Sequence, residues 1–199
     1  MIEWINFIVL IISTIIFSYL YLLSIQPVKR SESRGEKAWE ECARLRIIGS
    51  VFMCVTVINF FLWIWFPIQI FNWLIDPNYI LGIIIGIIIL VIFMPIMIKG
   101  EHDAGAETMK PSKDTEMYGG IYNYIRHPQT LGEFPTFIAL GFFLNSWFLV
   151  IIFIIWIVVY TPIMIYIEEK DLIRRFGDSY RDYQKRTGAL IPKLGRKKN

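Results

Sequence analysis

The stretch LGEFPTFIALGFFLNSWFLVIIFIIWIVVYTPIMIYI, residues 131–167, decides the fold of this chain. It is an apolar block of 37 residues, whereas roughly 20 apolar residues suffice for a helix to cross the hydrocarbon of a bilayer. Asn145 and Ser146 form its only consecutive polar break. We therefore interpret the block as a helical hairpin that turns at these two residues. Its first arm, residues 131–144, is short for a crossing, so it must start deeper in the bilayer or have its ends shielded by protein.

Three further apolar runs precede the hairpin, at residues 2–25, 47–66 and 80–98. The first run lacks a basic leader and a small-residue cleavage site, which predicts a retained helix rather than a signal peptide. Together with the hairpin, the runs predict an all-α polytopic membrane protein with five transmembrane helices. A polar tail after residue 167 predicts a C-terminal helical cap on the cytoplasmic side.

The basic residues divide cleanly between the two sides of this predicted topology. All 20 Lys and Arg residues fall in three segments, six in 26–46, four in 99–130 and ten in 168–199. Cytoplasmic loops of membrane proteins carry such an excess of Lys and Arg. We therefore expect the N-terminus outside and the C-terminus in the cytoplasm, in the plasma membrane if the source is prokaryotic. Because topology accounts for the basic residues, no nucleic-acid partner is predicted, and the oligomeric state stays open.

These segments suggest two regions along the chain. Residues 1–98 form an N-terminal region of three spans with a cytoplasmic loop at 26–46. Residues 99–199 form the candidate catalytic region, which comprises the cytoplasmic loop 99–130, the helical hairpin 131–167 and the cytoplasmic tail 168–199.

A polar site is predicted where the hairpin returns to the cytoplasmic side. His127 precedes the hairpin, and Glu168 and Glu169 follow it, so the turn brings them to one membrane face. Pro128 suits the first turn of a helix, which places His127 at the N-cap. Two plainer interpretations remain: His127 as a simple helix cap, and the two glutamates as a solvated helix exit paired with Lys170 and Arg174.

Two residues inside the hairpin's first arm are also candidates. Gly132 lets a backbone or a ligand approach closely. Glu133 is a carboxylate inside an apolar segment, so it should face a cavity, a partner or a cation. Cys42 and Cys54 have no spacing typical of a zinc site or a disulfide framework, and no metal is predicted.

The segments GGIYNYIRHPQTLGE (119–133) and EEKDLIRRFGDSYRDYQKRTGALIPK (168–193) carry a family pattern. It resembles the pattern of the isoprenylcysteine carboxyl methyltransferases and phospholipid methyltransferases: G-x-Y-x-x-x-R-H-P-x-Y-x-G, a helix pair, E-E, then F-G-x-x-Y-x-x-Y and a closing Pro. The five-span architecture is similar to that of the small prokaryotic members. The resemblance implies S-adenosylmethionine as methyl donor and a lipid or lipid-modified acceptor that enters laterally from the bilayer.

The resemblance also implies roles for particular residues. It places Tyr122, His127, Pro128 and Glu168 at the cofactor, with Gly132 and Glu169 close by, and Thr115 and Met117 in a covering loop. Glu133 is our candidate catalytic residue, which would orient an amine acceptor or accept its proton.

Three positions depart from the family pattern. Thr130 stands where an aromatic residue is expected, Met164 where carboxyl methyltransferases carry an Arg, and Ala189 where a basic residue is often found. A carboxylate acceptor calls for a guanidinium group, which Met164 does not provide. We therefore expect an amine or a thiol acceptor.

Two other functions fit parts of the sequence. RHPQTLGE also meets the pattern R-H-P-x-x-x-G-[DE] of membrane sterol and steroid reductases, which use NADPH, although those chains are usually longer. The three departures would also suit a non-catalytic membrane relative.

Overall fold

The computed structural model describes residues 1–115 and 119–193 of the chain. It is helical throughout, and the described ranges contain isolated β-bridges but no strand. The helices are α1 (Ile2–Ser24), α2 (Pro27–Arg34), α3 (Lys37–Leu62), α4 (Ile80–Ala104), α5 (Pro128–Phe143), α6 (Trp147–Phe176) and α7 (Asp178–Arg186), with short 3₁₀ turns at Gln69–Phe71, Gly105–Thr108 and Gly120–Asn123.

Four segments, built on α1, α3, α4 and α6, are long and apolar enough to cross a membrane. The chain is therefore an integral membrane protein, as the sequence indicates. Helix α5 has 16 residues, which at about 1.5 Å per residue is shorter than the hydrocarbon core of a bilayer. The fifth span and the sidedness of the termini stay predictions.

Helix α5 is packed closely against α4. A Cβ atom added at Gly132 would lie 2.4 Å from the backbone nitrogen of Met97, and one at Gly82 would lie 2.4 Å from the carbonyl oxygen of Phe142. Glycine at these positions lets the two backbones approach, as small residues do between membrane helices. The short helix is thus held by protein along its length.

The hairpin turn lies at Asn145 and Ser146, as predicted. Asn145 adopts a left-handed conformation with φ 54°, which Asn tolerates better than most residues. Its side chain accepts a hydrogen bond from the Asp76 backbone N–H at 2.9 Å and donates one to the Asp76 carbonyl at 2.7 Å. Around the turn, the rings of Phe71 and Phe148 stack with centroids 4.5 Å apart. The segment before α4 therefore covers this end of the hairpin.

The helices extend beyond the apolar runs that the sequence shows. Helix α3 begins at Lys37, and α2 occupies part of the predicted loop 26–46. Asp171 of α6 fixes α2, because its carboxylate oxygens accept hydrogen bonds from the backbone N–H groups of Val28 at 3.0 Å and Lys29 at 2.8 Å. These donors belong to the first turn of α2 and have no partner within the helix. A long-range contact therefore stabilises an element that hydropathy reads as a loop.

Candidate active site

One cavity lies where several helix ends meet at the same face of the protein. It contains about 950 Å³ of empty space, counting its open mouth. The C-terminal ends of α1, α4 and α6, the beginning of α5, and α7 all contribute to its wall. Its polar and charged lining comprises Tyr21, Arg46, Glu107, Thr108, Tyr122, Arg126, His127, Gln129, Thr130, Glu168, Asp171, Arg175, Tyr180 and Tyr183.

His127 lies between the two glutamates that follow the hairpin. It is the N-cap of α5, with Pro128 at the first helical position, and its side chain is 4% exposed. Its Nδ1 lies 3.0 Å from Glu168 Oε2, and its Nε2 lies 3.0 Å from Glu169 Oε1. The predicted convergence of these three residues is therefore present, and His127 is more than a simple helix cap.

The two glutamates have different surroundings. Glu169, 13% exposed, also accepts hydrogen bonds from Arg126 Nε at 2.6 Å and from Gln184 Nε2 at 2.7 Å. Glu168, 28% exposed, lines the cavity. Glu169 thus joins α5, α6 and α7 internally, whereas Glu168 presents carboxylate surface to the cavity.

The two carboxylates determine the charge of His127. Burial alone would lower the pKa of this imidazole, but the hydrogen bonds to Glu168 and Glu169 outweigh burial and raise the pKa to about 9. His127 is therefore a cation at neutral pH. In that state both ring nitrogens donate, one to each glutamate.

The chain after α7 completes the entrance to α5. The backbone N–H groups of Arg126 and His127 donate to the carbonyls of Gly188 at 2.9 Å and Ala189 at 3.0 Å. The hydroxyl of Tyr183 donates to the carbonyl of Tyr122. The tail thus packs against the polar segment before the hairpin, which is how the C-terminal helix becomes part of the cavity wall.

Two arginines hold the loop that follows α4. Arg175 Nη1 lies 2.7 Å from Glu107 Oε1, and the two side chains are 8% and 5% exposed. Arg175 also donates to the carbonyls of Ser112 and Thr115. From α3, Arg46 Nη1 donates to the carbonyls of Glu107 at 2.5 Å and Thr108 at 2.9 Å. The loop therefore forms one wall of the cavity through charged contacts.

The predicted residues fall into two groups. Tyr122, His127 and Glu168 line the cavity. Outside the lining, Pro128 is buried, Gly132 packs on α4, Glu169 lies behind His127, and the carbonyl of Thr115 accepts from Arg175 at 3.2 Å. Met117 lies outside the described residues.

Glu133 lies outside the lining but follows it along α5. It is three and four positions after Thr130 and Gln129, which both line the cavity, so the three residues share one helix face. Glu133 thus lies about one helical turn beyond the cavity-lining residues of α5.

The interpretation of Glu168 and Glu169 as a solvated helix exit paired with Lys170 and Arg174 is wrong, because these residues have other partners. Lys170 contacts the hydroxyl of Tyr166 at 3.2 Å, and Arg174 Nε lies 3.7 Å from Glu32 Oε1. Glu168 and Glu169 pair with His127 and Arg126 across the hairpin instead. They are therefore part of a tertiary network rather than a solvated helix exit.

Sequence reasoning missed much of the charged wall. Arg46, Glu107, Asp171 and Arg175 all line the cavity, and none was a candidate. The motif pattern contains Arg126 but does not indicate its role. Sequence position gives a weak signal for three of these residues. Arg126 is next to His127, and Asp171 and Arg175 follow the glutamates within α6. Among residues 1–115 and 119–193, no group of three His, Cys, Asp or Glu side chains is placed to hold a metal ion.

Two residues that depart from the family pattern, Met164 and Thr130, are buried or nearly buried. Met164 is 1% exposed and packs with Ile25, Phe134 and Tyr160. Thr130 is 9% exposed and lines the cavity. Apolar packing thus occupies the position where carboxyl methyltransferases carry an arginine.

Comparison with known proteins gives a family match for the part of the chain that contains the hairpin. The family model for phospholipid methyltransferase matches residues 81–179. The methanethiol S-methyltransferase of Pseudomonas deceptionensis is 28% identical over 146 residues, which is 67% of this chain and 54% of that protein. Methanethiol S-methyltransferase 1 of Bradyrhizobium diazoefficiens is 35% identical over 91 residues, 46% of this chain and 30% of that protein.

The range of the family model, residues 81–179, includes the hairpin α5–α6 and the polar segment before it. The chain spans about half or less of the length of these curated relatives. Neither the family model nor these relatives favours the reductase or non-catalytic alternative. The chain belongs to the superfamily of integral membrane methyltransferases that includes the isoprenylcysteine carboxyl methyltransferases and the phospholipid methyltransferases.

Proposed function

We propose that the chain is an S-adenosylmethionine-dependent methyltransferase that binds its donor in this cavity and methylates an amine or a thiol. The observation that carries the proposal is the different placement of the two glutamates. His127 is buried and Glu169 is 13% exposed, and together they fix the mouth of the hairpin, while Glu168 is held by His127 and lines the cavity. Such a carboxylate, in a partly desolvated place, suits a cationic or hydroxyl-bearing ligand.

The donor set of the cavity fits S-adenosylmethionine. That molecule carries an ammonium group, a carboxylate, a ribose diol and an aromatic base. The wall supplies carboxylates at Glu168 and Asp171, guanidinium groups at Arg46 and Arg175, and tyrosine rings. The Nε donors of both arginines are buried and have no hydrogen-bond partner among the described residues. A ligand with acceptor groups would satisfy donors that the protein leaves open.

An amine or thiol acceptor is supported by two observations. Met164, where carboxyl methyltransferases place an arginine, is buried in apolar packing and offers nothing to a carboxylate. The relatives named above methylate sulfur in methanethiol, according to their names. We place the acceptor toward the membrane-facing end of α5, where a lipophilic molecule enters laterally from the bilayer.

The donor supplies a methyl group on a positively charged sulfur, which becomes a neutral thioether when the methyl leaves. For a thiol acceptor, the carbon–sulfur bond to the donor breaks, a new one forms to the acceptor, and the thiol proton is lost. The chain's task is to align the two molecules and exclude water, and positioning of this kind is worth up to about 7–11 kcal/mol. Exclusion of water helps because water stabilises the charged reactant.

Glu133 is the residue that we assign to the acceptor proton. It lies on the α5 face that continues from the cavity lining at Gln129 and Thr130. Its carboxylate is partly buried, and a carboxylate that reaches the acceptor can act as a general base for its proton. Glu133→Gln should lower kcat by roughly 100-fold, within the usual range for general acid–base groups.

The test is methyl transfer by the purified protein in lipid nanodiscs. The protein is incubated with methyl-labelled S-adenosylmethionine and either methanethiol, longer alkyl thiols or a total lipid extract, and products are identified by mass spectrometry. Label should appear on a thiol or an amine. Label on a carboxylate would contradict the acceptor class, and absence of binding and transfer with every acceptor would contradict the function.

Donor binding is measured separately by calorimetry with S-adenosylhomocysteine. Glu168→Gln should weaken the affinity at least about tenfold, since a charge-assisted hydrogen bond is worth about 1.5–3 kcal/mol. Glu40→Gln is the matched control, because Glu40 lies on the surface with a side chain that is 72% exposed. Equal affinities of the two variants would contradict the role of Glu168.

A further inference from the structure

Arg46 differs from the other cationic residues in the cavity wall. Arg126 pairs with Glu169 at 2.6 Å, His127 with Glu168 at 3.0 Å, and Arg175 with Glu107 at 2.7 Å. The hydrogen bonds of Arg46 go to backbone carbonyls, those of Glu107 and Thr108. Within residues 1–115 and 119–193, no carboxylate forms an ion pair with it. Arg46 is thus a guanidinium in the wall whose charge the described protein does not balance.

The remaining donors of Arg46 and Arg175 point to an anion as well. The Nε atoms of both residues are buried without an acceptor in the described part of the chain. The Arg175 side chain is 8% exposed, so water has little access to it. A buried donor without an acceptor destabilises the protein, and a charged donor does so more strongly. Two guanidinium groups in one cavity wall, of which Arg46 has no carboxylate partner among the described residues, favour a ligand that carries an anionic group.

The two guanidinium groups lie on the same side of the cavity. Arg46 Nη1 contacts the carbonyl of Glu107, and Arg175 Nη1 contacts the carboxylate of the same residue. They come from α3 and α6, and Glu107 joins them through the loop after α4. The acidic lining at Glu168 and Asp171 belongs to α6. The wall therefore offers both signs of charge, as recognition of a zwitterion requires.

We propose that Arg46, with Arg175 beside it, binds the carboxylate of the donor's amino-acid end, while the acidic lining serves its ammonium group. The proposal rests on the proposed function and adds to it a binding residue from the N-terminal region. The donor carboxylate suits this site better than an acceptor phosphate does, because Arg46 is anchored to the polar loop after α4. Arg46 is then a determinant of specificity for an intact amino-acid end.

The test compares two ligands that differ in one group. Calorimetry is run with S-adenosylhomocysteine and with its decarboxylated form, which keeps the nucleoside, the thioether and the amine. Wild type should prefer the intact ligand. Arg46→Gln should lower the affinity for the intact ligand about 10- to 100-fold, as expected for the loss of a charge-assisted hydrogen bond. The same variant should bind the decarboxylated ligand within about twofold of wild type, so the preference disappears.

Matched variants separate this role from general damage. Arg44→Gln removes a neighbouring arginine of α3 whose side chain is 75% exposed, and it should leave both affinities unchanged. Arg46→Lys keeps the charge without the Nε donor and should recover part of the lost preference. Thermal unfolding of each variant in the same detergent shows that the fold is retained.

The remaining outcomes overturn the inference. If Arg46→Gln lowers the affinity for both ligands equally, the role of Arg46 is only to hold the loop after α4. If it leaves both affinities unchanged but raises KM for a phospholipid acceptor, the anion is the acceptor's phosphate. If wild type binds neither nucleoside, the proposed function fails before the question about Arg46 arises.

Discussion

The two ends of the α5–α6 hairpin are held by opposite kinds of chemistry. At the charged end, the ionised side chains of Arg126, His127, Glu168 and Glu169 contact one another, and the neutral amide of Gln184 from α7 donates to Glu169. At the aromatic end, around Asn145, a backbone turn is fixed by amide hydrogen bonds to Asp76 and covered by stacked rings.

The difference shows what each end has to do. The aromatic end uses uncharged groups, whose interactions do not change with pH, and it only has to close a turn. The charged end concentrates buried ions, which are costly unless each one is paired. It therefore acquires a stable geometry and a cavity that is sensitive to charge. A functional site is expected at the second kind of end.

The largest effect on stability is expected from the charged end, at Glu169. Glu169→Ala leaves Arg126 and His127 without their shared acceptor, and breaking a buried ion pair costs about 3–5 kcal/mol. Thermal and chemical unfolding in detergent, followed by circular dichroism, would measure the loss. Glu168→Ala should cost clearly less, because that side chain is 28% exposed and its one ion pair among the described residues is with His127. Equal losses would remove the distinction between the two glutamates.

The second effect is a pH dependence that belongs to the charged end alone. The pKa of His127 is about 9 in the folded protein, against 6.5 as the ordinary value. Its stabilising contribution is present in full below about pH 6.5 and is lost as the pH rises through about 9. The melting temperature should therefore fall between pH 7 and pH 10. His127→Gln should flatten that part of the curve, and an unchanged slope would contradict the assignment.

At the aromatic end a smaller loss is expected, without any effect on ligand binding. Asn145→Ala removes two hydrogen bonds and leaves at φ 54° an alanine, which tolerates this left-handed conformation less well than asparagine does, for a cost of about 2–3 kcal/mol. Asn145→Gly removes the same hydrogen bonds but relieves the backbone strain, so it should cost less. Calorimetry with S-adenosylhomocysteine should give wild-type affinity for both variants. A weakened affinity would mean that the two ends are coupled.

The smallest effect is expected just outside the charged end. Lys170→Ala removes an exposed side chain that contacts Tyr166 and neither glutamate. The free energy of unfolding should change by less than about 0.5 kcal/mol. A larger loss of unfolding free energy in the same assay would indicate that Lys170 does pair with Glu168 or Glu169.

The sequence predicted the hairpin, its turn and the meeting of His127 with the glutamates, because these follow from an apolar block with one polar break. It predicted His127 as N-cap from the proline after it. It did not predict the pairing of Glu107 with Arg175, or Asp171 at the start of α2. Those contacts join residues far apart in sequence, and neither periodicity nor spacing reports them. The mixed-charge loop 26–46 was expected to be partly helical, but the sequence did not predict the bounds of α2 or the start of α3 at Lys37, since hydropathy marks bilayer depth and not helix ends.

The parallel contact between residues 125–127 and 188–189 has a consequence for biosynthesis. The backbone donors of Arg126 and His127 acquire their acceptors only from Gly188 and Ala189, which the ribosome adds some sixty residues later. Until then the hairpin can insert into the membrane, but the backbone N–H groups of Arg126 and His127 lack these two acceptors. The mouth of the hairpin can therefore acquire its final hydrogen bonds only after residues 188 and 189 have been synthesised, and a nascent chain stalled before residue 188 would lack both acceptors.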